Sequence, residues 1–163
     1  MGNKRVVDPM FWDNKVVAEK MTRDEKYFFL FLITNPELRQ LGIYNLPISK
    51  ASYYSGFTAE EVRGFLKKFQ DEYLFIRYND DTNEIAIRNY LRHGVVSGGD
   101  GLTSCLTADA NNVKDKSLLR YIKEEYDNSS GNENKTVELF MYDIENFYGE
   151  GEADYCDEDY RGY

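Results

Sequence analysis

The chain has 163 residues and a net charge of −9, with 29 Asp and Glu against 20 Lys and Arg. No apolar run approaches the roughly 20 residues that span a bilayer, and no signal-peptide stretch follows the first residues, so we expect a cytoplasmic protein without membrane contact. The two cysteines, Cys105 and Cys156, are too far apart to indicate a disulfide framework or a metal site. The negative charge excludes a nonspecific nucleic-acid coat, because it repels a polyanion.

The first predicted element is a helix that begins at a capping box, Thr22 to Glu25. The run that follows, Lys26 to Ile33, is apolar on all sides, and the helix is expected to stop before Pro36. A helix with a single buried face would also show a polar face. We therefore expect two buried faces, one of them against a second copy of the chain, which makes Phe29, Leu30 and Ile33 candidate oligomer contacts.

Three further elements follow in quick succession. Leu41 to Leu46 reads as a short strand, and Ile48 to Ser55 reads as a short helix closed by Gly56. A second capping box at Thr58 to Glu61 opens another helix. The apolar positions of that helix recur at the spacing of one buried stripe, namely at Val62, Phe65, Leu66 and Phe69.

The stretch from Phe75 to Tyr90 predicts a β-hairpin. A turn at Asp80 to Asn83 places Tyr78 opposite Ile85 and Ile76 opposite Ile87, so that these four share one apolar face. Together with the preceding elements, the order predicts an α+β, mainly α fold: a winged helix-turn-helix with a two-stranded wing, followed by C-terminal helices and an acidic tail.

The balance of basic and acidic residues changes after Gly94. Residues 1–94 hold 14 Lys and Arg against 13 Asp and Glu, whereas residues 95–163 hold 6 against 16. We expect a winged-helix domain over 1–94, then an irregular glycine-rich loop to 112 and a helix near 116–127. A linker and a C-terminal helix, capped by Thr136, are expected over 128–148. The acidic aromatic tail, 149–163, is expected to be disordered alone.

The sequence holds no constellation of residues that indicates catalysis. It has no phosphate-binding glycine loop, and its one histidine, His93, has no partner nucleophile. The carboxylates near the C-terminus lack the glycine and spacing of an EF-hand loop. We therefore expect no enzyme, no cofactor and no metal.

Basic residues of the predicted winged helix are candidate nucleic-acid contacts. Arg63 and Lys67 are four residues apart and share one helix face. Opposing them, Glu60 and Glu61 occupy the first helical turn, which usually enters the major groove, and the predicted wing tip is acidic. We therefore expect only modest binding of duplex or single-stranded DNA. The full candidate set is Lys50, Arg63, Lys67, Lys68, Arg77, Arg88 and Arg92.

The stretch from Arg5 to Gln70 resembles the N-terminal winged-helix region of DnaD-like replication proteins of Gram-positive phages and mobile elements. The motifs that carry the resemblance are "TNPELRQLGIYNLPI", Thr34 to Ile48, and "IRNYLRHG", Ile87 to Gly94. The resemblance implies a role in replication initiation, with a helicase, loader or primase as partner, and self-association through the winged helix. Longer members carry a further helical C-terminal domain, where this chain has one helical segment and an acidic tail.

The acidic aromatic end is the candidate partner-binding element, since such segments combine charge steering with aromatic anchors. Its candidate residues are Phe147, Tyr148, Asp154, Tyr155, Asp157, Glu158, Asp159 and Tyr160. Two other functions stay open at this point. One is an inhibitor whose carboxylates mimic DNA phosphates toward a host enzyme such as a defence nuclease, and the other is a winged-helix transcriptional regulator.

Overall fold

The computed structural model describes residues 4–95, 98–131 and 133–148. Within these ranges the fold is α+β and mainly helical. The helices are α1 (Arg23–Leu32), α2 (Ile48–Ser55), α3 (Ala59–Asp71), α4 (Tyr90–His93), α5 (Asp100–Asn112), α6 (Ser117–Asp127) and α7 (Lys135–Asp143). The strands are β1 (Ile43–Asn45), β2 (Ile76–Asn79) and β3 (Glu84–Ile87), with β3 in the middle of an antiparallel sheet. None of the helices described is long and apolar enough to cross a membrane.

The segment before α1 packs against the core instead of extending into solvent. It contains a 3-10 turn, Pro9–Phe11, whose start is capped by the Asp8 side chain, and a π-helical turn, Val16–Lys20. Val17 is buried, and the Phe11 ring stacks on Phe29 of α1 with 5.9 Å between ring centroids. This segment therefore covers part of one face of α1.

Helix α1 begins at the predicted capping box. The Thr22 hydroxyl accepts from the Glu25 N–H, and the Glu25 carboxylate accepts from the Thr22 N–H. Phe28 and Leu32 are fully buried. After the last turn, Asn35 donates its amide to the Leu32 carbonyl and to the Tyr44 hydroxyl oxygen, so the orphan carbonyl at the helix end is satisfied.

The predicted short helix and the helix after it are confirmed. Helix α2 spans Ile48–Ser55 and ends at Gly56, whose φ of 81° is the left-handed conformation that glycine adopts at low cost. Helix α3 begins at the second capping box and buries Val62, Leu66 and Phe69.

The predicted hairpin register is also confirmed. Tyr78 lies opposite Ile85, and Ile76 lies opposite Ile87. All four residues of β3 are nevertheless buried, including those on the face opposite the apolar one. The reason is that α6 packs across that second face. The hairpin is thus part of a three-stranded sheet, with β3 central and β2 at the edge, and not the two-stranded flap that was expected.

Residues 100–112 form helix α5, so the expectation of an irregular loop there was wrong. Leu102, Leu106 and Ala110 are buried, and α5 packs against α7. The cap of α7 also differs from the expected one: Asn134 accepts from the Thr136 and Val137 N–H groups. The Thr136 hydroxyl instead accepts from the Gly99 N–H, and so ties the start of α7 to the start of α5.

A buried carboxylate joins the sheet to this C-terminal helical region. Glu84 on β3 is 5% exposed and accepts from the Lys114 and Asp115 N–H groups, both at 2.8 Å. These N–H groups lie in the turn between α5 and α6. Nearby, the Asn79 amide donates to the Asp115 carboxylate at 2.7 Å. The hairpin turn and the α5–α6 turn are therefore fastened together.

Candidate nucleic-acid interface

The outer face of α3 holds two exposed cations of the candidate set. The inner face packs on the core through Val62, Leu66 and Phe69, which leaves Arg63 and Lys67 exposed. Beside them lies a groove of about 370 Å³ between α3 and the hairpin, with Ile48, Leu66 and Tyr78 among its lining residues.

The acidic turn of the hairpin lies against this surface. Arg63 Nη1 is 3.8 Å from Asp80 Oδ1, and both side chains are well exposed. Water screens such a pair, so its contribution to stability is small. Its effect on charge matters more, because Asp80 offsets one of the few cations that the surface offers to a phosphate.

Neutralising Asp80 should therefore strengthen DNA binding. We expect Asp80→Asn to raise affinity for a short duplex about threefold at low salt, the size of effect typical of an exposed ion pair. Asp81→Asn is the matched control, since it removes the same charge from the next residue, and the ion pair described for Arg63 is with Asp80. Fluorescence anisotropy measures both. Equal affinities for the two variants would show that the Arg63–Asp80 contact has no influence on DNA binding.

Two further lysines of the candidate set have partners within the chain. Lys68 Nζ lies 2.7 Å from the buried Glu25 carboxylate, whose hydrogen bond raises the pKa of the lysine. Lys50 Nζ lies 2.7 Å from Glu37, and the same kind of bond raises its pKa. Both stay charged at neutral pH, but part of each charge is already neutralised.

The three arginines on and after the hairpin contact helix α6. Arg77 lies 4.7 Å from the Tyr121 ring centroid, and Arg92 lies 3.6 Å from the Tyr126 ring centroid. Arg88 forms an ion pair with the carboxylate of Glu125. Arg92 also donates to the Tyr126 and Ser129 carbonyls. Arg88 and Arg92 are therefore held by contacts with the C-terminal region, whereas Arg77 lies over the Tyr121 ring and stays exposed.

The candidate oligomer residues of α1 divide between two surroundings. Phe29 and Ile33 are partly buried against the core and line a cavity beside the N-terminal segment. Leu30 is partly exposed. Exposed aromatic side chains near α1 include Tyr27 of α1, at 52%, and Tyr53 and Tyr54 of α2, at 84% and 40%.

The candidate partner-binding residues are described only up to Tyr148. Phe147 packs on Phe140 with ring centroids 5.8 Å apart, and Arg120 lies 5.5 Å from the Tyr148 ring centroid. The exposed apolar residues on α7 are instead Leu139 and Tyr142. The remaining candidates lie outside the described residues, as does the expected disorder of 149–163; they are Asp154, Tyr155, Asp157, Glu158, Asp159 and Tyr160.

The lone histidine lies at the end of α4, where His93 Nδ1 is 3.5 Å from Asp8 Oδ2. This contact is an ion pair only when the imidazole is protonated. Among the residues that the structure describes, no three His, Cys, Asp or Glu side chains come together as a metal-binding group would.

Comparisons with protein-family models, curated proteins and solved structures give no match for this chain. The likeness to DnaD-like proteins therefore rests on the motifs at Thr34 to Ile48 and Ile87 to Gly94.

Proposed function

We propose that the chain is a replication accessory or initiation protein of a phage or mobile element, acting in the cytoplasm through protein contacts and modest DNA binding, without catalysis. The observation that carries the DNA-binding part is the exposed pair Arg63 and Lys67 on α3, which line a groove beside the hairpin together with Asp71 and Asp80. The element order, α1-β1-α2-α3-β2-β3, supports a winged helix. The role in replication rests on the resemblance to DnaD-like proteins.

The internal contacts of the basic residues favour a weak mode of DNA binding. Arg63 and Lys67 are exposed. Lys50 and Lys68 each form an ion pair with a glutamate, and the arginines on and after the hairpin contact α6. Two to four phosphate contacts give a slope of about −2 to −4 for log K against log salt. Phosphate contacts of this kind position a protein without reading the base sequence.

The test is a titration of labelled duplex and single-stranded DNA at low salt. The double variant Arg63→Ala, Lys67→Ala should lower the affinity about tenfold, since it removes two phosphate contacts. The matched control is Lys114→Ala, Lys135→Ala, which removes the same charge from exposed lysines of the C-terminal region. If both double variants bind equally well, or if wild type binds neither DNA at low salt, the α3 surface is not a nucleic-acid site.

The protein-binding part of the proposal has two components. The first is self-association through α1, where Phe29, Leu30 and Ile33 are all partly exposed. The second is capture of a helicase, loader or primase by the acidic aromatic end. Sedimentation tests the first component, and a strictly monomeric chain at high concentration would reject it.

One observation favours a second candidate function, an acidic inhibitor that mimics DNA toward a host nuclease. Helix α6 places Glu125 against Arg88 and so neutralises one positive charge next to the hairpin, in a chain that already carries −9. Competition distinguishes the candidates, because an inhibitor should displace DNA from a purified defence nuclease, whereas an accessory protein should bind the DNA itself.

A further inference from the structure

A second cavity lies away from the α3 surface, between the N-terminal segment, α1 and the end of β3. Its volume is about 480 Å³, within the range of about 300–1,000 Å³ that small-molecule sites occupy. Aromatic and aliphatic side chains form most of its lining, among them Phe11, Phe29, Ile33 and Phe75. Phe29 is central to this wall, with Phe11 at 5.9 Å and Phe75 at 5.1 Å between ring centroids.

The charged groups around the cavity have a net negative sign. Asp8 and Asp13 both line it, as do Arg88 and His93. The positive charge of Arg88 is already offset by its ion pair with Glu125. With His93 uncharged, the three carboxylates Asp8, Asp13 and Glu125 therefore outnumber the two arginines near the cavity, Arg88 and Arg5, the latter beside Tyr90. An apolar cavity with this potential favours a positive ligand and disfavours an anion.

Asn89 also lines the cavity. Its Oδ1 is buried without a hydrogen-bond partner among the described residues, and its φ is +56°. An unpaired carbonyl oxygen adds to the local negative potential. Unsatisfied polar atoms and left-handed non-glycine residues are both uncommon in folded proteins and concentrate at functional sites.

From these observations we infer that the cavity binds a small organic cation with an apolar body. The charged end lies at Asp8 and Asp13, and the apolar body lies against Phe11 and Phe29. Aromatic rings assist, because the negative face of a ring attracts a cation. This site is separate from the α3 surface, since none of its lining residues belongs to α3, but it shares Phe29 and Ile33 with the α1 set proposed for self-association.

The test uses benzyltrimethylammonium as the cationic probe and 3-phenylpropionate as an anionic probe of similar size, titrated into the full chain and followed by NMR. The cation should shift amide signals of the N-terminal segment, α1 and residues 87–94. The anion should bind at least about tenfold more weakly. Equal binding of both probes, or shifts that map elsewhere, would overturn the assignment.

Two variants test the residues. Asp8→Asn, Asp13→Asn should weaken cation binding about fivefold. Asparagine at position 8 keeps an oxygen to accept the Met10 N–H, so the 3-10 turn should survive. The control is Asp71→Asn, Asp81→Asn, which removes the same charge from α3 and the hairpin turn. Ile33→Trp should fill the cavity and abolish binding of the cation, while the amide spectrum remains that of a folded protein. Unchanged cation binding in either cavity variant contradicts the proposal.

Discussion

Replacing Glu84 with alanine should destabilise the protein by about 3 kcal/mol and loosen the C-terminal helices from the sheet. Glu84 is the carboxylate on β3 that accepts from the Lys114 and Asp115 N–H groups. Hydrogen bonds to a charged acceptor contribute about 1.5–3 kcal/mol each, and the substitution leaves two donors without this partner in a partly buried turn. Chemical denaturation measures the loss.

Hydrogen exchange shows which helices lose stability in the variant. In Glu84→Ala, amides of α5 and α6 should exchange faster, because their connecting turn has lost its attachment to β3. Glu84→Gln keeps one acceptor oxygen and should lie between wild type and alanine. Glu124→Ala, an exposed glutamate on α6, is the control and should change stability by less than about 0.5 kcal/mol. Unchanged exchange in α5 and α6 would contradict the role given to Glu84.

Glu25→Ala should cost a similar amount, about 3 kcal/mol, at the junction of α1 and α3. The substitution removes a capping box, worth about 1 kcal/mol, and two side-chain partners. Those partners are Lys68, at 2.7 Å, and the Tyr73 hydroxyl, which donates to the same carboxylate at 3.1 Å. Glu61→Ala is the matched control: it removes the equivalent box at the start of α3, where the glutamate is exposed, and should cost only about 1 kcal/mol. Equal losses in the two variants would show that the Lys68 and Tyr73 contacts add nothing.

The same carboxylate gives a pH dependence with a defined sign. Burial alone would raise the pKa of Glu25, but hydrogen bonds from Lys68, the Thr22 N–H and Tyr73 outweigh burial and lower it. A lowered pKa means that the stabilisation is present above the ordinary pKa of about 4.3 and is lost as the pH falls through the folded-state value. The stability difference between wild type and Glu25→Gln should therefore shrink below about pH 4. A constant difference down to acid unfolding would contradict this coupling.

Local signals predicted the first half of the fold well. Both capping boxes, the helix closed by Gly56 and the hairpin register depend on residues close in sequence, and all appear as expected. Helix α5 was missed because its sequence has a weak apolar pattern and a glycine in its first turn. Its stability comes from packing against α7, which no local pattern reveals.

The candidate site was only partly predictable for the same reason. Counting lysines and arginines identified candidate residues, but whether each arginine is available to a ligand depends on which element packs beside it. One signal was present: "EIAI" at Glu84 to Ile87 is nearly all apolar, and such strands are buried on both faces. A strand buried on both faces requires a second element packed on the hairpin. In the structure this element is α6, which contacts Arg77, Arg88 and Arg92.

The most direct test of the account is an NMR titration of the labelled chain with a short duplex at low salt. Binding through α3 should shift amide signals within residues 48–80 and leave those of α6 unchanged, since the hairpin arginines keep their contacts with Tyr121, Glu125 and Tyr126. Shifts centred on residues 84–92 and 117–127, with α3 unaffected, would show that DNA takes those arginines from α6, and would contradict the interface described above.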